Sequence, residues 1–210
     1  MGNRVTLEAF LQYNPAGMPN LGQLIFAAAD MKASLFSERL AQFSTLGTGR
    51  TVYMSSMDYV LEASAIFHQD DRAGQVWPRL LAVDYILRRP FVLVPGTDSI
   101  DCSGLVNVMT HHYDVHAYFA QPPTLGDIYK VLSGHYPATQ RLSINGQGNL
   151  LAVHLQPEFL LGPLQQLAGQ APPQLTANAT WYCLVPPANA PHLPLPPAPA
   201  APQPPADAAA

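Results

Sequence analysis

The chain has 210 residues, 48% of them hydrophobic, and ten Lys+Arg against fourteen Asp+Glu give a net charge of -4. That length suits one domain with a sizeable core and a tail. The acidic balance, with no basic cluster longer than Arg88-Arg89, excludes a phosphate-tracking nucleic-acid surface, and no apolar run approaches the ~20 residues that span a bilayer.

In chain order, Met1-Gly2-Asn3-Arg4-Val5-Thr6 fits the pattern M-G-x-x-x-[ST], which makes Gly2 a lipidation candidate. One myristoyl chain gives only weak, reversible membrane association, and in a bacterial protein it requires delivery into a host cell. With no basic and apolar leader pattern and no disulfide framework from Cys102 and Cys183, the expected compartment is otherwise cytoplasmic. Asn20 predicts the N-cap of a helix bearing Leu21, Leu24, Ile25, Ala28, Met31 and Leu35, which runs towards Phe43 and ends at Gly47 to Gly49. Ser55-x-x-Asp58 predicts a capping-box start for a second helix with Met57, Val60, Leu61 and Phe67, stopped by the polar stretch from Gln69 to Gly74. A third helix is expected from Gln75 to Arg88, with Trp77, Leu80, Leu81 and Tyr85 on one side and Pro78 in its first turn. Residues 1–89 therefore predict as a helical region packed with the core.

Pro90 ends that helix, Phe91 to Val94 has strand character, and Pro95-Gly96-Thr97-Asp98-Ser99 is turn chemistry. Asp101-Cys102-Ser103-Gly104-Leu105-Val106 then places a lone cysteine on the first turn of a predicted amphipathic helix with Leu105, Val106, Met109, Tyr113, His116 and Ala117 on its apolar face. A helix N-terminus favours thiolate over thiol, and a thiolate is a nucleophile. The run Pro90 to Val106 resembles the nucleophile region of NlpC-type, papain-like cysteine peptidases and amidases. The resemblance covers roughly 65 residues, of which about six match tightly. It implies an α+β core over residues 90–185, with the Cys-bearing helix packed on a small antiparallel sheet that carries the catalytic histidine.

A nucleophilic cysteine needs a base from elsewhere in the fold. Asn145-Gly146-Gln147-Gly148 supplies hairpin chemistry after Leu142 and Ile144, and the return strand Asn149 to Leu155 carries His154, where the resemblance would place that base. Gln156, Gln165 and Gln166 lie nearby, and none is assigned as the third member. Cys102 and His154 are thus the candidate catalytic residues for cleaving an amide in a peptide or protein. The alternative for Cys102 is a buried structural thiol.

The cluster His111-His112-Tyr113-Asp114-Val115-His116 puts His112 and His116 one helical turn apart, but it lacks the glutamate of an H-E-x-x-H site. Solvated surface histidines are the expectation there, and neither metal nor cofactor is expected. Pro122-Pro123 punctuates the chain, Thr124-x-x-Asp127 starts a short helix through Leu132, Pro157 to Leu167 reads as a helix, and Ala179 to Val185 reads as a last strand able to pair with the hairpin. Residues 186–210 are almost wholly Pro and Ala and predict a disordered tail, a spacer first and an SH3-type docking peptide second, through Pro191-His192-Leu193-Pro194 and Pro194-Leu195-Pro196-Pro197. The expected class is α+β with a helical N-terminal half. The expected activity is a cysteine hydrolase, and the alternative is a non-enzymatic interaction protein joining a lipidated N-terminus to a Pro-rich tail.

Overall fold

The computed structural model describes residues 2–12, 22–43, 49–81, 83–105, 116–142, 150–154, 162–175 and 179–184. The class is α+β. Among the described residues, helices α1 (Gly2–Gln12), α2 (Ala33–Ala41), α3 (Tyr59–His68), α4 (Pro122–Gly134) and α5 (Gly162–Ala168) accompany seven strands. These are β1 (Gln23–Ala27), β2 (Gly49–Met54), β3 (Val76–Trp77), β4 (Arg89–Pro90), β5 (Asp98–Asp101), β6 (Leu150–His154) and β7 (Thr180–Leu184). Five form one sheet in the order β1-β2-β5-β7-β6, parallel except for the antiparallel pair β6–β7, while β3 and β4 make a separate antiparallel pair. The sheet takes strands from both sides of residue 89.

Both faces of the sheet are covered. On one, Leu24, Phe26, Val52 and Met54 meet Leu7 of α1 and Phe36 and Leu40 of α2, with Phe26 and Phe36 edge to face at 5.2 Å. On the other, Ile25, Ala27, Tyr53 and Ile100 meet Leu61 of α3, Ile128 of α4 and Tyr118, which precedes α4. This double burial explains the main departure from the expected helical N-terminal half. A strand buried on both faces shows no apolar–polar alternation, so the apolar run Leu24 to Ala29 also satisfies helical spacing, and β1 stands where the first helix was expected. Among the described residues of the helix expected from Asn20 towards Phe43, only Ala33 to Ala41 are helical, and β2 was not anticipated.

Three further expectations are corrected. The helix expected over 75–88 is replaced by β3, a loop and a single 3-10 turn at Tyr85–Leu87. Trp77 is fully buried and donates its Nε1–H to the Gln170 carbonyl at 3.3 Å, a contact from within a strand. Residues 91–94 are a loop, not a strand, although Val92 and Val94 enter the core. Cys102 follows the end of β5 directly, and Ser103–Leu105 make one 3-10 turn in place of the first turn of an α-helix.

Three expected helices and one expected strand pairing are found. Residues 59–68, 122–134 and 162–168 are helical, and β6 and β7 pair, His154 opposite Thr180. β6 takes β7 as its ladder partner, while Leu142 meets Leu150 only in an isolated bridge. Asn20, residues 145–148 of the expected turn, residues 106–115 of the helix expected after Cys102, with His111 and His112, and the tail lie outside the described residues. Among the described residues no helix is long and apolar enough to cross a membrane, and no group of side chains could hold a metal ion.

Candidate acid–base site at the carboxyl ends of the strands

Strands of a parallel sheet end together, and side chains from the loops after them converge on one edge of the sheet. β2 runs into the turn Ser55-Ser56-Met57, which delivers Asp58 as the N-cap of α3, its Oδ1 accepting from the amides of Val60 (3.1 Å) and Leu61 (3.0 Å). The helix thus starts three residues later than a cap at Ser55 would give. The Ser55 hydroxyl instead accepts from the Met57 amide at 3.1 Å.

After β5 the chain returns to the same edge at His116, whose Nδ1–H donates to both Asp58 oxygens, at 2.9 and 3.0 Å. The Asp58 side chain is fully buried, whereas the His116 side chain keeps 39% exposure. Burial pushes the Asp58 carboxyl above its ordinary range, and the Leu61 amide and the imidazole pull it back down. With Nδ1 engaged by a carboxylate, the nitrogen left for proton transfer is Nε2. The ring edge meets Phe119 at 6.3 Å.

Two residues further on, the buried Tyr118 hydroxyl donates to the Tyr53 carbonyl and accepts from the Ala28 amide, both at 3.0 Å, so it ties the His116 loop to the ends of β2 and β1. Thr124 at the start of α4 donates its hydroxyl proton to the Tyr118 carbonyl at 2.8 Å. Beneath this layer lies a buried polar network. Asp127 accepts from the Tyr53 hydroxyl at 2.7 Å and pairs with Arg141, which also reaches Asp98 at 2.9 Å.

The residues expected to be catalytic are not brought together. Cys102 is fully buried between Tyr53, Tyr118 and Ile100, and burial, then the neighbouring Asp101 carboxylate, drives its thiol well above the ordinary range. The field is the opposite of the thiolate-favouring one expected from a helix terminus. His154 is exposed near the outer edge of the sheet, bonded to the Thr180 hydroxyl at 3.0 Å. The ladder places it two strands across and about four residues back from Cys102, so that the Cα atoms are ~16 Å apart at ordinary strand spacings. Cys102 and Cys183 are both free thiols. Gly2 is exposed and opens α1, and its neighbour Asn3 donates to the Ala27 carbonyl at 3.0 Å, which docks that helix start on the carboxyl end of β1.

Asp58 and His116 were legible only as a cap and as a surface histidine. The available signal was their position, an acid on the turn closing an apolar run at 51–54 and a histidine preceding Ala-Tyr-Phe, 58 residues apart. No similar curated protein and no similar solved structure was found. A family described as "Alpha/beta hydrolase of unknown function (DUF900)" matches residues 1–131, a span that holds β1, β2, β5 and the Asp58–His116 pair. With well over half of its length matched, the chain belongs to this family of alpha/beta hydrolases.

Proposed function

We propose that Asp58 and His116 are the orienting acid and the general base of an acyl hydrolase acting on an ester or amide. The observation that carries this reading is the two-oxygen contact of a fully buried carboxylate with Nδ1 of a half-exposed imidazole. In the alpha/beta hydrolases the triad follows the chain order nucleophile, acid, base, and here the acid precedes the base. His116 Nε2 takes the proton of the nucleophile as its oxygen attacks the acyl carbon, then gives that proton to the departing alcohol or amine. Water, activated by the same nitrogen, releases the acid and restores the nucleophile. Asp58 holds the tautomer and faces the imidazolium as it forms.

The cysteine-hydrolase reading of Cys102 and His154 has no comparable support, given the sealed thiol and the remote imidazole. Membrane attachment through Gly2 and partner docking through residues 186–210 are separate proposals, the first testable by intact mass from a eukaryotic host.

Treatment of the protein with a fluorophosphonate probe tests the assignment. Labelling should fall on a side-chain hydroxyl and vanish in His116→Ala. Labelling at Cys102, or unchanged labelling in that variant, overturns it.

A further inference from the structure

Asp101-Cys102-Ser103-Gly104 is the stretch that looked like a nucleophile, and the structure gives its serine another task. The Ser103 hydroxyl, 4% exposed, accepts the Ser56 amide at 2.7 Å and donates to Asp101 Oδ1. The same carboxylate oxygen accepts the Ser103 amide at 2.8 Å. Its other oxygen accepts from Arg88 Nη1 at 3.0 Å and from the Cys183 thiol at 3.6 Å. Arg88 is in turn held by two bonds to the Val83 carbonyl, at 3.0 and 3.2 Å. Asp101 therefore has no freedom to turn, and it fixes the Ser103 oxygen at one point. That point lies against the turn that presents the acid, since Ser56 is two residues before Asp58.

We infer that Ser103 is a positioning residue for the Asp58–His116 pair: its hydroxyl locks the 55–58 turn to the segment leading out of β5, setting the acid against the base. The inference rests on the reading of that pair given above. The geometry explains the motif without nucleophilic chemistry. A carboxylate placed two residues before the serine fixes the direction of its hydroxyl. That leaves the oxygen's lone pairs facing a backbone amide on the neighbouring strand's turn. Removing the oxygen leaves the Ser56 amide buried and unmatched, and the turn can answer only by shifting. Because the contact of Asp58 with the imidazole is a distance-sensitive hydrogen bond, a small shift of the turn is felt at His116.

The test is proton NMR of the imidazole in the protein itself, following the downfield Nδ1–H signal that a carboxylate partner slows from exchange. Ser103→Ala should abolish the signal or speed its exchange by about tenfold or more, the equivalent of one lost buried hydrogen bond. Ser99→Ala is the control, because it deletes an equally buried hydroxyl whose 3.0 Å bond runs to the Val92 carbonyl, away from the pair, and the signal should persist. A wild-type signal in Ser103→Ala, or equal loss in both variants, overturns the inference. Asp58→Asn separates the two levels: a signal that survives it removes the acid–base reading and the brace with it. Should Ser103→Ala fail to fold, native-state hydrogen exchange of the unaltered protein decides. The Ser56 amide and the His116 Nδ1–H should open in one unit, and a Ser56 amide that exchanges while the imidazole proton stays protected contradicts the brace.

Discussion

Replacing Asp58 separates its two roles, because one side chain both caps α3 and holds His116. Asp58→Asn keeps a side-chain oxygen for the Val60 and Leu61 amides but offers no anionic acceptor to Nδ1–H. Asp58→Ala removes both. The cap is worth about 1 kcal/mol, within a range of roughly 0.5–2. For a protein of this size that corresponds to a melting temperature about 2–4 °C lower in Asp58→Ala than in Asp58→Asn. The sign of the comparison with wild type comes from the carboxyl's pKa, which burial raises. A carboxyl raised in the folded state favours folding below its unfolded value near ~3.9 and loses that contribution as pH rises through its folded pKa. Asp58→Asn should therefore be no less stable than wild type at pH 7. Its advantage should grow as pH rises from about 4. Thermal unfolding of the three proteins between pH 3 and 8 gives these numbers. Equal melting temperatures for the two variants would refute the capping argument, and an Asp58→Asn deficit that widens towards neutral pH would refute the sign.

Iodoacetamide should label Cys102 in the native protein no faster than the protein opens at any pH from 6 to 9, measured by peptide mass; rapid labelling with a midpoint below the ordinary thiol value contradicts the buried placement. Arg141→Leu leaves the Asp127 carboxylate buried without its cation and should cost about 3–5 kcal/mol in denaturant unfolding, whereas the double variant with Asp127→Asn should recover a large part of it. Tyr118→Phe removes two buried hydrogen bonds, but the Ala28 amide retains the Tyr53 carbonyl at 3.3 Å, so the expected loss is about 1–2 kcal/mol, again by denaturant unfolding.

The legible parts of the fold are those where local chemistry and burial agree. Pro122 and Pro123 open α4 at its first two positions, and the one-sided burial of Thr124, Asp127 and Val131 keeps a helical period, so this helix reads correctly from residues alone. β7, with Trp181, Cys183 and Leu184 buried, reads as a strand for the same reason. β1 and β2 do not, because a strand covered on both faces has no alternation to reveal its period of two. The site was legible as a motif and illegible as a role. Asp101-Cys102-Ser103-Gly104 is a tightly tied turn, but whether its sulfur is sealed or open depends on Tyr53 and Tyr118, brought in from elsewhere in the chain. Asp58 and His116 meet only because β2 and β5 lie side by side and end together.

The most direct measurement is p-nitrophenyl ester hydrolysis by the protein, comparing His116→Ala and Asp58→Asn with Cys102→Ser and His154→Ala. The account predicts a fall in kcat of about 10³-fold or more for the first two variants and near wild-type turnover for the last two. Full activity in His116→Ala, or activity that disappears with the Cys102 thiol, would contradict it.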